Sequence, residues 1–253
     1  MAVYAVSDLH GQYDTFIAGL KKIEFSDDDM LYLIGDAIDR GLDGIKILQF
    51  IKEYRNMDLI LGNHEFMMLN SIDPTGKKKC NGQDSDLWLY FNGGISTFEK
   101  YRSLSLKERQ SLLMWLNRRY VIKTIEIEDK KFCLTHSYYK SSVNNKMYFE
   151  TEYQDVANTV WTSLFRDERE THGINIYREY PEYTFITGHV PVLKAMRSYM
   201  GHFKFNELRI LELGNLINID GGCALGYHPE INNGALFLRL DDMKVFPVPI
   251  VQK

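Results

Sequence analysis

Short apolar runs recur along the chain, and each breaks off at a glycine, aspartate, asparagine or histidine. The run at residues 2–6 meets Asp8, that at 30–34 meets Gly35-Asp36, that at 58–61 meets Gly62-Asn63, and that at 183–187 meets Gly188-His189. Runs of this kind read as buried strands that deliver polar side chains to loops. Between the first three, Phe16, Leu20 and Ile23, and then Ile45, Leu48 and Ile51, recur at helical spacing. The alternation of strand and helix predicts an α/β domain whose first half pairs largely in parallel. Sheets of that kind bind ligands beyond the carboxyl ends of their strands.

The middle of the chain is more helical. Ser105-x-x-Glu108 is a capping box that opens a helix over residues 105–118. Residues 120–128 alternate apolar and polar, Asp129-Lys130 can turn, and 132–135 returns as a strand that ends at His136. Further strand-like runs lie at 209–213, 216–219, 235–240 and 245–248, parted by turn residues. The lysine-rich stretch 76–82 reads as a mobile surface loop. No repeat, linker or low-complexity tract interrupts the chain, and 253 residues with 45% hydrophobic content suffice for one core. One domain over residues 1–253 is expected.

Charge narrows the function classes. Lys and Arg number 30 against 34 Asp and Glu, a mixed balance with net charge −4 that disfavours extended nucleic-acid binding. The three cysteines, Cys80, Cys133 and Cys223, form no Cys-x-x-Cys pair. An odd, scattered set is poor material for a disulfide framework, so a reducing cytoplasm is expected. The first eight residues lack a basic segment before Asp8, unlike a signal peptide. No stretch approaches the roughly 20 apolar residues that span a bilayer, so no membrane partner is expected.

Five clusters carry the chemistry: Asp8-Leu9-His10-Gly11, Gly35-Asp36-Ala37-Ile38-Asp39-Arg40-Gly41, Gly62-Asn63-His64-Glu65, His136, and Gly188-His189-Val190-Pro191. Each falls at the carboxyl end of a predicted strand, so one face of a sheet system can gather all of them. Singly, each has an ordinary structural explanation, such as a turn asparagine or a surface ion pair. Together, four of the seven histidines share these loops with Asp8, Asp36, Asp39 and Asn63. Carboxylates, imidazoles and an amide oxygen without thiolate suit a divalent manganese, iron or zinc ion rather than a cysteine-rich structural site. They are too many for one open metal, whereas two metals about 3.5–4 Å apart that share a carboxylate would use them.

Asp-x-His-Gly, Gly-Asp-x-x-Asp-Arg-Gly and Gly-Asn-His-Glu, in that order, resemble the signature of the Ser/Thr phosphoprotein phosphatases within the calcineurin-like metallophosphoesterase superfamily, the compact bacterial and phage enzymes above all. The resemblance runs from Asp8 to about Gly222. It implies a β-sandwich of two mixed sheets flanked by helices and a Ser/Thr protein phosphatase, with dual specificity toward phosphotyrosine left open. It further implies that Asp8, His10 and Asp36 hold one metal, and that Asp36, Asn63, His136 and His189 hold the second, manganese being favoured over iron or zinc. Water or hydroxide between the metals would attack phosphorus, His64 would protonate the leaving alkoxide, Asp39 would orient His64, and Arg40 would clamp the phosphate.

The chain departs from the pattern in places. Ser7 stands where the first motif usually opens with glycine, and Ser137-Tyr138-Tyr139 replaces the small residues after the third metal histidine. A further phosphate-binding arginine is expected after Trp161; Arg166 and Arg169 compete, and Arg166 is preferred. Tyr138, Tyr139, Tyr148 and Tyr153 are read as packing rather than as a substrate groove. The expected substrate is a phosphorylated protein or a small phosphoester. The rival expectation is hydrolysis of diadenosine tetraphosphate or another nucleotide anhydride.

Overall fold

In the computed structural model, which describes residues 1–79, 85–163, 176–200 and 207–252, ten strands form two five-stranded sheets. The first holds β1 (Val3–Ser7), β2 (Met30–Ile34), β3 (Met57–Ile60), β9 (Gly234–Arg239) and β10 (Lys244–Pro249) in the order β10-β9-β1-β2-β3. β1, β2 and β3 pair in parallel, with Val6 opposite Leu33 and Leu33 opposite Leu59. Two helices make the crossovers, α1 (Tyr13–Lys22) and α2 (Gly44–Glu53), and they bury Phe16, Ile45, Leu48 and Ile51 as their spacing predicts.

The second sheet holds β4 (Ile122–Ile127), β5 (Lys130–Thr135), β6 (Tyr183–Thr187), β7 (Leu211–Leu213) and β8 (Leu216–Asn218) in the order β4-β5-β6-β8-β7. β5, β6 and β8 are parallel, and β4 and β7 close the edges antiparallel. The mixed α/β architecture that the resemblance implied is therefore present. Alternation along β1 explains the layering: Val3 and Ala5 join Ile34, Ile60, Phe132, Leu134, Ile186, Ile217 and Leu236 between the sheets, while Tyr4 and Val6 face the helical side. Strands buried on both faces read as unbroken apolar runs, which is why they were visible in the sequence.

Boundaries shift for local reasons. Tyr120 pairs with Ile60 and Met147 rather than extending β4, and its carbonyl accepts the Leu61 N–H at 2.8 Å. The β4–β5 turn falls at Glu128-Asp129, one residue early, because Glu128 takes a left-handed φ of 53°. The predicted capping box is formed: Glu108 N donates to Ser105 Oγ and Ser105 N to Glu108 Oε2 at the start of a helix over Leu106–Asn117. Tyr139 is buried in a ring cluster with Tyr180, Tyr183 and Phe185, and Tyr148 and Tyr153 pack on Phe66, as expected of packing residues. Of the lysine-rich stretch, Lys79 N donates to Ser71 O at 2.8 Å, and Cys80, Asn81 and Gly82 lie outside the described residues. Among the described residues no helix is long and apolar enough to cross a membrane.

Candidate active site

Five loops meet where parallel strands end. Asp8 follows β1, Asp36 follows β2, Asn63 follows β3, His136 follows β5 and His189 follows β6. Main-chain bonds stitch these loops together before any side chain is considered: Asp8 N donates to Gly35 O at 3.1 Å, His10 N to Asp36 O at 2.9 Å, and Gly188 N to His136 O at 3.0 Å. Of the ten non-glycine residues with positive φ among those described, six lie here: Asp8, His10, Asp36, Asp39, Arg40 and His189. Left-handed backbone of this kind is uncommon outside glycine and concentrates at functional sites. At Gly188 a Cβ would lie 2.0 Å from Asp8 Oδ2, so only glycine lets the second sheet approach the first this closely.

Asp36 is the centre. Its Oδ2 lies 3.4 Å from His136 Nε2, 3.6 Å from His10 Nε2 and 3.7 Å from His64 Nε2. Two groups of potential metal donors share it, His10-Asp36-His64 and Asp36-His136-His189, the atoms within each group lying no more than 4.8 Å apart. Asn63 Oδ1 bridges the second group, 2.9 Å from His136 Nε2 and 3.0 Å from His189 Nδ1. Asp8 stands beside them with its carboxylate accepting the His189 backbone N–H at 3.0 and 3.1 Å.

The histidines are held as metal ligands usually are. His10 Nδ1 lies 3.1 Å from Ile38 O and His136 Nδ1 lies 3.1 Å from Ile34 O. A carbonyl only accepts, so it selects the Nδ1–H tautomer and turns Nε2 toward Asp36. Burial and the neighbouring His64 hold the His10 pKa well below its ordinary value, which favours the neutral ligand form.

Charge in the cluster also favours cations. Burial, with Asp36 adding to it, raises the Asp8 pKa to about 7, and burial with Asp8 pushes Asp220 well above the usual carboxylate range. Asp36 itself is held well below that range, because His136 and His64 outweigh its burial. Burial opposes charge on His136, yet Asp36 and Asp8 lift its pKa to about 10. Carboxylates crowded out of water, beside imidazole and amide donors and with no thiolate in either group, fit a hard or borderline divalent ion.

A second constellation sits beside the first. His64 Nδ1 lies 2.6 Å from Asp39 Oδ2, and although burial opposes charge on this ring, Asp36 and Asp39 raise its pKa. Arg40 is exposed at the rim, its N–H donated to Gly93 O at 3.0 Å. Beneath both, the buried Glu65 carboxylate accepts three main-chain N–H groups, from Asp36 and Ala37 at 2.9 Å and from Gly62 at 3.2 Å. Burial, with the Asp36 charge, raises its pKa to about 7.

Asp8, His10, Asp36, Asp39, Asn63, His64, His136 and His189 thus gather in one place, with Arg40 at its edge. Arg166 and Arg169 lie outside the described residues. Sequence reasoning assigned Glu65 no structural task and passed over Trp88, whose Nε1 donates to Asp39 Oδ2 at 2.7 Å. The adjacent Gly93-Gly94 pair was the available signal that a segment presses closely on the second motif.

Residues 1–219 match the model of the family described as Calcineurin-like phosphoesterase. This chain belongs to that family. It is accordingly a hydrolase, a metallophosphoesterase with two kinds of curated relative. Serine/threonine-protein phosphatase 2 of Salmonella typhimurium is 30% identical over 194 residues, covering 75% of this phosphoesterase and 80% of the relative. The symmetrical bis(5'-nucleosyl)-tetraphosphatase of Salmonella paratyphi B is also 30% identical, over 139 residues that cover 54% of this chain and 43% of the relative. Among solved structures, the cold-active protein-tyrosine phosphatase of a Shewanella species superposes with a TM-score of 0.53 at 18% identity, covering 97% of this chain and 80% of that one. That likeness concerns the fold.

Proposed function

We propose that this phosphoesterase is a metal-dependent phosphomonoesterase acting as a Ser/Thr protein phosphatase in the cytoplasm, one catalytic domain over residues 1–253 that uses two divalent ions, manganese by preference. The observation that carries the reading is the buried His64–Asp39 pair, whose Nδ1–Oδ2 distance is 2.6 Å and whose Nε2 faces the shared Asp36. Serine and threonine alkoxides are poor leaving groups and need a proton as they depart; a nucleotide phosphate is a good one and needs it far less. A dedicated acid therefore suits monoesters of alcohols.

Asp8, His10 and Asp36 would hold one cation, and Asp36, Asn63, His136 and His189 the other. When bound, the two ions supply positive charge at the phosphoryl group and bring the pKa of water toward 7. His64 would give its Nε2 proton to the leaving oxygen while Asp39 accepts from Nδ1 and keeps the ring turned. Arg40, exposed and planar, is suited to grip two phosphate oxygens at once, with Arg166 proposed as a second contact. Glu65 anchors the two loops that carry Asp36 and Asn63, so the ligand spacing is set by main-chain hydrogen bonds. The oxygen donors of Asp8, Asp36 and Asn63 support manganese, and the free, buried Cys133 and Cys223 support a reducing compartment.

The second reading, cleavage of diadenosine tetraphosphate, has the tetraphosphatase similarity in its favour. A phosphate-release panel with added manganese separates the two. Turnover of phosphoserine and phosphothreonine peptides is expected, with phosphotyrosine peptides reporting dual specificity. Strong turnover of diadenosine tetraphosphate with none of the peptides would reverse the order.

A further inference from the structure

We infer that Trp88 is a positioning residue for the general acid, acting through Asp39; the inference rests on the role proposed above for the His64–Asp39 pair. Asp39 is fully buried, and a single oxygen, Oδ2, takes both of its short side-chain contacts, His64 Nδ1 at 2.6 Å and Trp88 Nε1 at 2.7 Å. Its other oxygen, Oδ1, is buried with no hydrogen-bond partner. A carboxylate with only the histidine to satisfy can swing part-way about its terminal torsion. The indole N–H restricts that swing, since moving the shared oxygen out of line would strand a buried donor.

Trp88 is itself held rigidly. It is fully buried on a π-helical turn, Leu87–Phe91, a geometry that is rare and recurs at functional sites. Phe98 meets its ring edge-on at a centroid distance of 6.2 Å, and Gly94 N donates to its carbonyl at 3.0 Å. A Cβ on Gly94 would lie 2.6 Å from the indole nitrogen, so the glycine makes room for the donor. The same segment grips the motif at three more points: Asp39 N donates to Thr97 Oγ1 at 2.9 Å, Arg40 N to Gly93 O at 3.0 Å, and Ser96 Oγ to Gly41 O at 2.9 Å. A segment that contributes no side chain to either metal-donor group therefore sets the posture of the Asp39-Arg40 pair.

The test is the leaving-group dependence of Trp88→Phe, which keeps the ring bulk and deletes the donor. With phenyl phosphate, whose leaving group is poor, kcat should fall about tenfold, the scale on which supporting partners of a site act. With p-nitrophenyl phosphate it should fall less than about twofold, because a good leaving group relies little on the acid. KM and metal content should stay unchanged, and Trp88→Phe should add no loss in an Asp39→Ala background. Equal losses on both substrates, no loss, or a loss additive to that of Asp39→Ala overturns the inference. If Asp39→Ala itself shows no leaving-group dependence, the acid reading fails; if it does and Trp88→Phe does not, only the tryptophan's role fails. Should Trp88→Phe not fold, Gly94→Ala displaces the same N–H and is expected to give the same selective loss, and an unselective loss there overturns the inference equally.

Discussion

Strands β1, β2 and β3 lie side by side and deliver Asp8 and His10, then Asp36, Asp39 and Arg40, then Asn63 and His64, whereas β5 and β6 deliver one histidine each, His136 and His189. The first sheet feeds short loops directly into α1, α2 and the helix Asn63–Ser71, so each loop carries several groups at fixed spacing. The second sheet contributes single side chains that reach across to Asn63 and Asp36. The difference implies a division of labour: acid, phosphate grip and both donor groups depend on the first sheet, and one donor group alone depends on the second.

Changing the shared residue should abolish both halves of that contrast at once. Asp36→Asn is expected to lower metal content at both positions and to cut activity by about 10³-fold or more, beyond the loss typical of outer partners; elemental analysis of the purified variant checks it, and full metal content would break the scheme. His64→Asn should reduce turnover by about 10²-fold while both metals stay bound, the signature of a lost general acid. His189→Ala should remove about one ion per chain and cost about 10- to 100-fold. Because the acid sits on the other sheet, its losses with phenyl and p-nitrophenyl phosphate should be equal, and unequal losses would show that the sheets do not divide the work. The smallest effect is expected at the end of the first sheet away from the site, where Arg239, the last residue of β9 and opposite Tyr4 of β1, pairs with the exposed Asp242. Arg239 holds the Asp242 pKa down from 3.8 to about 2, so its contribution to stability is present above pH 3.8 and is lost as pH falls through about 2. Asp242→Asn should alter acid unfolding followed by circular dichroism and leave neutral-pH activity untouched.

The same contrast explains what could be read from the sequence. The first-sheet loops were legible because buried parallel strands leave apolar runs that stop abruptly, and each stop is crowded with donor side chains. His136 and His189 were legible as strand ends, but their grouping with Asn63, 73 and 126 positions away, came from the family resemblance and not from local pattern. Glu65 appeared only as the last letter of a motif; its task exists because the β2 and β3 loops lie within reach of one carboxylate. Trp88 escaped because its segment ends no strand and carries no metal-type residue, and its partner Asp39 is 49 positions away.

The left-handed backbone at six site residues bears on thermal engineering. An L-residue in that region is disfavoured by roughly 1–2 kcal/mol, and glycine is the usual remedy. At Asp8, His10, Asp36, Asp39, Arg40 and His189 the remedy would erase the very side chain the position exists to present. Of the other four, Asn145 hydrogen-bonds Thr124 and Met243 packs against the core, which leaves the exposed Glu24 and Glu128, both with φ of 53°, away from the cluster. Those are the places where glycine can raise the melting temperature at no chemical expense, and the six cannot be improved in this way.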